Sequence, residues 1–212
     1  YWFNNEDDAP LFSHNLFRKK VVPELRDDKN VLFIVIDNLR YDQWKAFESI
    51  VNNHYKVDKE ESYYSILPTA TQYARNAIFS GLTPLEMERQ LPQYWKNDTD
   101  EGGKNLYEAE FLNEQLKRLR LNIKHEYYKI TNLRDGKKFV ENFKSLKENK
   151  LITLVYNFVD MISHAKTEME VIKELASNDK AYRSLTQSWF KNSPLIEIIQ
   201  QAQLAGYKLI IT

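Results

Sequence analysis

Val31-Leu32-Phe33-Ile34-Val35-Ile36, followed at once by Asp37-Asn38, decides the fold. An unbroken apolar run rich in β-branched residues predicts a strand buried on both faces. Such a strand belongs in the middle of a parallel sheet covered by helices. A helix is expected over residues 39–51, with Leu39, Trp44, Phe47 and Ile50 close to one face. A second run of the same kind, Leu151-Ile152-Thr153-Leu154-Val155-Tyr156, ends in Asn157-Phe158-Val159-Asp160.

Other elements extend the pattern outward. Residues 63–67 read as a strand closed by Pro68. Thr69-Ala70-Thr71 opens a helix reaching Ser80, with Thr69 or Thr71 as a natural N-cap, Gly81 at the C′ position and Pro84 as the stop. Residues 91–103 read as an irregular insert. A helix over 106–119, a strand over 122–130 and a helical region over 136–147 follow. Helices are expected over 166–176 and 179–203, with a break or fresh start near Ser193-Pro194, and a strand over 208–212. Strand and helix signals alternate about five times, which predicts a doubly wound, mainly parallel α/β sheet with helices on both faces. Residues 1–29 read as an approach segment from an upstream domain. It holds a turn-forming stretch at Asn4-Asn5-Glu6-Asp7-Asp8-Ala9-Pro10 and a short helix capped by Ser13. Residues 30–212 form the domain proper. The chain opens on Tyr1 and ends within an apolar run, so it reads as a fragment.

Composition removes several function classes. The 212 residues carry 30 Lys+Arg and 30 Asp+Glu, so no whole-surface electrostatic grip on nucleic acid or anionic membrane is expected. The absence of cysteine excludes disulfides, Cys-based zinc sites, iron–sulfur clusters and a thiol nucleophile. It fits a reducing, cytoplasmic compartment. No apolar run approaches the roughly 20 residues of a membrane span. Neither GxGxxG nor GxxxxGK[ST] occurs.

In α/β sheets of this kind, ligands sit at the carboxyl ends of the strands. Asp37, Thr71, Asp160 and His164 are the polar residues expected at that edge. Asp160 and His164 are spaced i, i+4, which places both on one face of a helical turn. A carboxylate with a neutral imidazole suits zinc or manganese. The same spacing also suits an ordinary hydrogen bond near a helix start. Asp37 reads either as a ligand or as a cap for the next helix. Thr71 needs a lowered hydroxyl pKa to act as a nucleophile, and otherwise reads as a cap. Arg40 and Arg75 are placed to meet a phosphate or to make an ion pair, and Asn38 adjoins the same turn. His14, His54 and His125 read as surface or core residues. The aromatic residues are spread along the chain, as core and interface.

Three ordered motifs carry a family resemblance. They are Asp37-Asn38-Leu39-Arg40-Tyr41-Asp42, then Leu67-Pro68-Thr69-Ala70-Thr71-Gln72-Tyr73-Ala74-Arg75-Asn76 with Ser80-Gly81-Leu82-Thr83-Pro84, and Asp160-Met161-Ile162-Ser163-His164. Together they resemble the PglZ domain of the alkaline phosphatase superfamily, close to that of PorX-type response regulators of Bacteroidetes, over residues 30–212. The resemblance implies an alkaline phosphatase-like fold, incomplete at its C-terminus, and a two-zinc site with manganese as a possible substitute. Asp37, Thr71, Asp160 and His164 match its metal-binding positions, and Thr71 its nucleophile. The family's further ligands, an Asp-His pair and a later His, fall beyond Thr212, so the fragment alone is expected to be incomplete. Arg75, Arg40 and Asn38 are candidates for substrate contact. The implied activity is phosphodiester hydrolysis through a threonine nucleophile, on small or cyclic oligonucleotides. The implied setting is a dimeric two-component regulator linked to type IX secretion, with a cognate histidine kinase or a sigma factor as partner. The competing reading is a non-catalytic domain that keeps the fold and signals by dimerising or binding such a partner.

Overall fold

The computed structural model describes residues 9–97, 99–103 and 105–212. The stretch Asn4–Asp8 of the expected approach segment lies outside the described residues. In chain order the elements are α1 (Ser13–Leu16), a π-helical turn (Phe17–Val21), α2 (Val22–Arg26), β1 (Val31–Ile36), α3 (Tyr41–Val51), α4 (Thr71–Ser80), α5 (Pro84–Gln90) and α6 (Glu108–Arg118). They continue with β2 (His125–Ile130), α7 (Leu133–Asn142), a 3-10 turn (Phe143–Leu146), β3 (Leu151–Tyr156), α8 (Phe158–Glu168), α9 (Glu170–Leu175), α10 (Asp179–Asn192), α11 (Pro194–Leu204) and β4 (Lys208–Ile211). Two compact units result: one from the chain up to Asp27 with Glu60–Asn122, the other from Asp28–Lys59 with Ile123–Thr212. No helix among the described residues is long and apolar enough to cross a membrane.

The second unit holds the sheet, in the order β2-β3-β1-β4. All three pairings are parallel, and β1 matches β3 residue for residue from Val31↔Leu151 to Ile36↔Tyr156. Every residue of both central strands is buried, as their apolar sequences require. The even-numbered side chains Leu32, Ile34, Ile36, Ile152, Leu154 and Tyr156 share one face and one core cluster. Helices α3, α7, α10 and α11 pack on that face through Phe47, Phe139, Phe190 and Ile198. The Phe47 and Phe190 rings stack at 4.0 Å, and each buried ring contributes roughly 1.5–3 kcal/mol.

Polar ties hold α3 to α10. Arg40 donates to both carboxylate oxygens of Asp42, at 2.9 and 2.6 Å, and to Asp179 at 3.1 Å. Arg183 donates to Asp42 at 3.0 Å, and Gln43 donates to the buried Thr186 hydroxyl at 2.9 Å. The two guanidinium groups, Arg40 first, hold the Asp42 carboxyl well below the usual carboxylate range. In α7, Gly136 allows a close approach, because a Cβ there would stand 2.9 Å from Tyr156 Oη and 3.0 Å from Pro194 Cγ.

In the first unit, α4 ends at Gly81 in the left-handed conformation, φ 65°. The expectation of a C′ glycine is met. The free carbonyls of that helix end are taken by α6: Gln115 donates to Ile78 and Phe79, at 3.0 and 2.7 Å, and Arg118 to Ser80. Arg75 of α4 and Glu108 of α6 form a buried bidentate ion pair, 4% and 1% exposed.

Several expectations need correction. Residues 63–67 are not a sheet strand. Tyr64 and Leu67 are exposed, and the backbone pairs locally instead, with Tyr64 bridging Phe12. Tyr64 N–H donates to Leu11, and Ile66 N–H to the Ser13 hydroxyl, at 2.8 and 3.1 Å. Ser13 therefore caps that segment, while Phe12 holds the N-cap position of α1. Pro84 starts α5 rather than only ending α4. Gly136 sits inside α7 rather than at its start. The helix expected over 166–176 is instead the end of α8, which begins at Phe158, and the separate helix α9, with extended Met169 between them.

Three outcomes follow for stability. Glu108→Gln leaves the Arg75 charge buried without its counter-ion and lowers unfolding free energy by about 3–5 kcal/mol, whereas Arg75→Met with Glu108→Leu costs far less. Urea unfolding measures both. Gly136→Ala destabilises by about 1–3 kcal/mol despite alanine's better helix propensity; a more stable variant would refute the close packing. The Asp42 carboxylate adds stability above its ordinary value of 3.8, and this is lost as pH falls below that value toward the depressed one. Asp42→Asn is therefore less stable at neutral pH, by an amount that shrinks in acid and in high salt.

Candidate functional site

Strand register builds the site within the sheet unit. Because β1 and β3 end together at Ile36 and Tyr156, Asp37 and Asn157 leave the sheet side by side. Asp37 N–H donates to the Tyr156 carbonyl at 2.9 Å. Ile36 N–H donates to the Thr212 carbonyl at 2.8 Å, so the end of β4 reaches the same rim. The turn after β1 runs through Asn38 at φ 60°, a left-handed conformation that Asn tolerates better than most residues. Asp37 is half-buried and Asn38 exposed.

Helix α8 starts directly after β3, with Asn157 at its N-cap position. Asp160 lies in its first turn, where a carboxylate is favoured by the helix dipole. His164 stands one turn further on, with Nε2 3.6 Å from Asp160 Oδ1. The His164 side chain is 70% exposed and that of Asp160 25% exposed, so the pair opens to solvent. An oxygen and a nitrogen donor at this separation, both accessible, fit two ligands of one divalent cation. Among the described residues, no three of His, Asp and Glu gather closely enough to form a complete metal group. The Asp160–His164 pair therefore fits as part of a shell. At the end of β3, Tyr156 Oη is buried without a hydrogen-bond partner, and burial raises its pKa strongly.

Thr71 belongs to the other unit and is half-buried at the first residue of α4. Ala70, not a threonine, occupies the N-cap position, and no side chain caps that helix. Thr71 is thus not spent on capping. Because 63–67 is not a strand of the sheet, Thr71 does not follow a sheet strand as expected.

The two arginines are engaged. Arg75 is buried against Glu108. Arg40 is held by Asp42 and Asp179 and lies 5.6 Å over the Tyr182 ring. Its ion pairs strongly raise its pKa. Neither carboxylate partner of remote sequence, Glu108 or Asp179, carries a local signal in the chain. The remaining histidines make structural contacts: His14 stacks on Phe12 at 5.7 Å, His54 lies 3.3 Å from Gln200, and His125 Nδ1 lies 3.1 Å from the Ile123 carbonyl.

No curated protein matches this chain. Residues 16–212 match the family described as the BREX system PglZ alkaline phosphatase-like domain. The match covers both units, including the parallel sheet whose carboxyl rim bears Asp37, Asp160 and His164. The chain belongs to the PglZ family of alkaline phosphatase-like domains.

Proposed function

We propose that this domain is a metal-dependent phosphoesterase, acting on phosphodiesters through Thr71. The observation that carries the reading is the shared rim: Asp37 leaves β1 beside the end of β3, and the Asp160–His164 pair follows on the first turns of α8. Family membership adds that related domains have a phosphatase-like fold. Asp37, Asp160 and His164 are the residues to hold divalent cations, zinc first and manganese as substitute, with Thr71 as a further contact. Bound zinc supplies Lewis acidity, lowering a hydroxyl pKa and stabilising charge on phosphoryl oxygens.

The chain's own residues do the rest. Thr71 Oγ1 gives up its proton and forms a bond to phosphorus as the ester alcohol leaves with a proton. Water then cleaves the phosphothreonine, restoring the hydroxyl and releasing the phosphomonoester. Thr71 suits this role because its hydroxyl is not committed to the helix cap. Arg40 and Asn38 adjoin the Asp37 turn; Arg40 acts on substrate only if it releases a carboxylate. The wider setting we infer from the motifs is the output domain of a PorX-type two-component regulator in the cytoplasm, dimeric, with oligonucleotide substrates.

Hydrolysis of bis-(p-nitrophenyl) phosphate tests the assignment. Thr71→Val lowers kcat at least a thousandfold while bound zinc, measured by atomic emission, is largely retained through Asp37, Asp160 and His164. His164→Ala lowers both zinc content and rate. Equal rates for wild type and Thr71→Val would remove Thr71 from the chemistry.

A further inference from the structure

The rim that carries Asp37 and α8 also carries the start of α7. Strand β2 lies next to β3 in matched register, and Ile130 pairs with Tyr156 at their ends. The Asn157 N–H donates to the Ile130 carbonyl at 3.2 Å, closing the two ends together. Only Thr131 and Asn132 separate Ile130 from α7, which is capped by the Asn132 side chain. Helices α7 and α8 cover the same sheet face, because Phe139 and Val159 belong to one core cluster. Adjacent strands lie about 4.8 Å apart, so α7 and α8 leave the rim at neighbouring positions.

Helix α7 presents Arg134, Lys137 and Lys138 at i, i+3 and i+4, a spacing that gathers side chains on one helix face. All three are exposed, and they line one shallow depression of about 650 Å³ together with Leu133 and Glu141. None of the three cations is ion-paired among the described residues. The neighbouring acid, Asp135, is engaged at the helix cap, where it accepts from Asn132 Nδ2 at 2.8 Å. Glu141 stands at the end of the depression farther along the helix from the rim. The positive charge is therefore concentrated on the rim-proximal half of α7, in a protein whose formal net charge is zero. Ordinary solvated lysines on this chain often find carboxylates, as Lys124, Lys150 and Lys208 do.

We propose that Arg134, Lys137 and Lys138 form an anion subsite for substrate groups remote from the reacting phosphorus. This rests on the phosphoesterase reading and deepens it. The preferred substrate carries further phosphates along its chain, beyond the one that is cleaved. Arg134 offers a planar fork to a phosphate, and the lysines act as point charges behind it. The subsite sets which esters are taken up and takes no part in bond breaking.

The test uses the full-length protein with zinc and two chromogenic esters that release p-nitrophenol. One is the p-nitrophenyl ester of thymidine 3′-phosphate; the other is the same ester at the end of a tetrathymidylate. Wild type prefers the longer ester. The triple variant Arg134→Gln, Lys137→Gln, Lys138→Gln lowers the ratio of kcat/KM, longer over shorter, at least tenfold. Arg134→Gln alone lowers it about threefold, which keeps the test open if the triple variant folds poorly. In parallel, fluorescein-labelled tetrathymidylate is titrated in EDTA. The triple variant binds at least tenfold more weakly, and its salt dependence falls by about 2 in log–log slope, at roughly 0.7 per phosphate contact on a single strand. An unchanged ratio with unchanged binding overturns the subsite. If wild type cleaves neither ester, the phosphoesterase reading fails, and the titration alone decides the subsite.

Discussion

The placement of Asp37 and of the Asp160–His164 pair depends on the parallel pairing of β1 with β3. The two strands run in matched register and end level, at Ile36 and Tyr156. A register slip of one residue would turn Leu32, Ile34 and Ile36 out of the cluster they share with Ile152, Leu154 and Tyr156. With both faces of both strands buried, the whole core resists such a slip. The positions of Asp37 and of the first turn of α8 are therefore fixed by packing, not by interactions of the polar residues themselves. Asp160 and His164 are accessible, and no buried ionic contact is needed to hold them in place.

The same logic separates structural from functional arginines. A buried ion pair offsets its desolvation only when the partners match closely, as the bidentate Arg75–Glu108 contact does. That pair joins α4 to α6 below the turn that carries Thr71. Arg40 lies near the surface, shared between Asp42 and Asp179, and joins α3 to α10. Among the described residues the cations of α7 have no such partner, and this, unlike the pairing of Arg75, suits them to anion recognition.

Much of this was legible from residue patterns. The runs Val31–Ile36 and Leu151–Tyr156 announce fully buried strands, because only a covered parallel sheet hides so many consecutive apolar side chains. Asp37 stood out because it directly follows the first run, and Asp160 and His164 because they lie in the polar turns that come after the second. Residues 63–67 misled because aromatic and aliphatic residues there suggest a strand, yet of Tyr63, Tyr64, Ile66 and Leu67 only Ile66 is buried, while Tyr64 and Leu67 face solvent. Phe158 and Val159 hid the true start of α8 by reading as the tail of a strand. The partners Glu108 and Asp179 lie 33 and 139 residues from the arginines they bind. Such long-range charge pairing leaves no periodic trace. The demand for glycine at 136 is likewise set by Tyr156 and Pro194, which are distant in sequence.

The most direct measurement of the central claim is the position of zinc in crystals of the full-length protein, read from its anomalous scattering. An anomalous peak is expected about 2.0–2.2 Å from both a His164 ring nitrogen and an Asp160 carboxylate oxygen. Zinc bound at full occupancy elsewhere, with both side chains outside coordination distance, would contradict it.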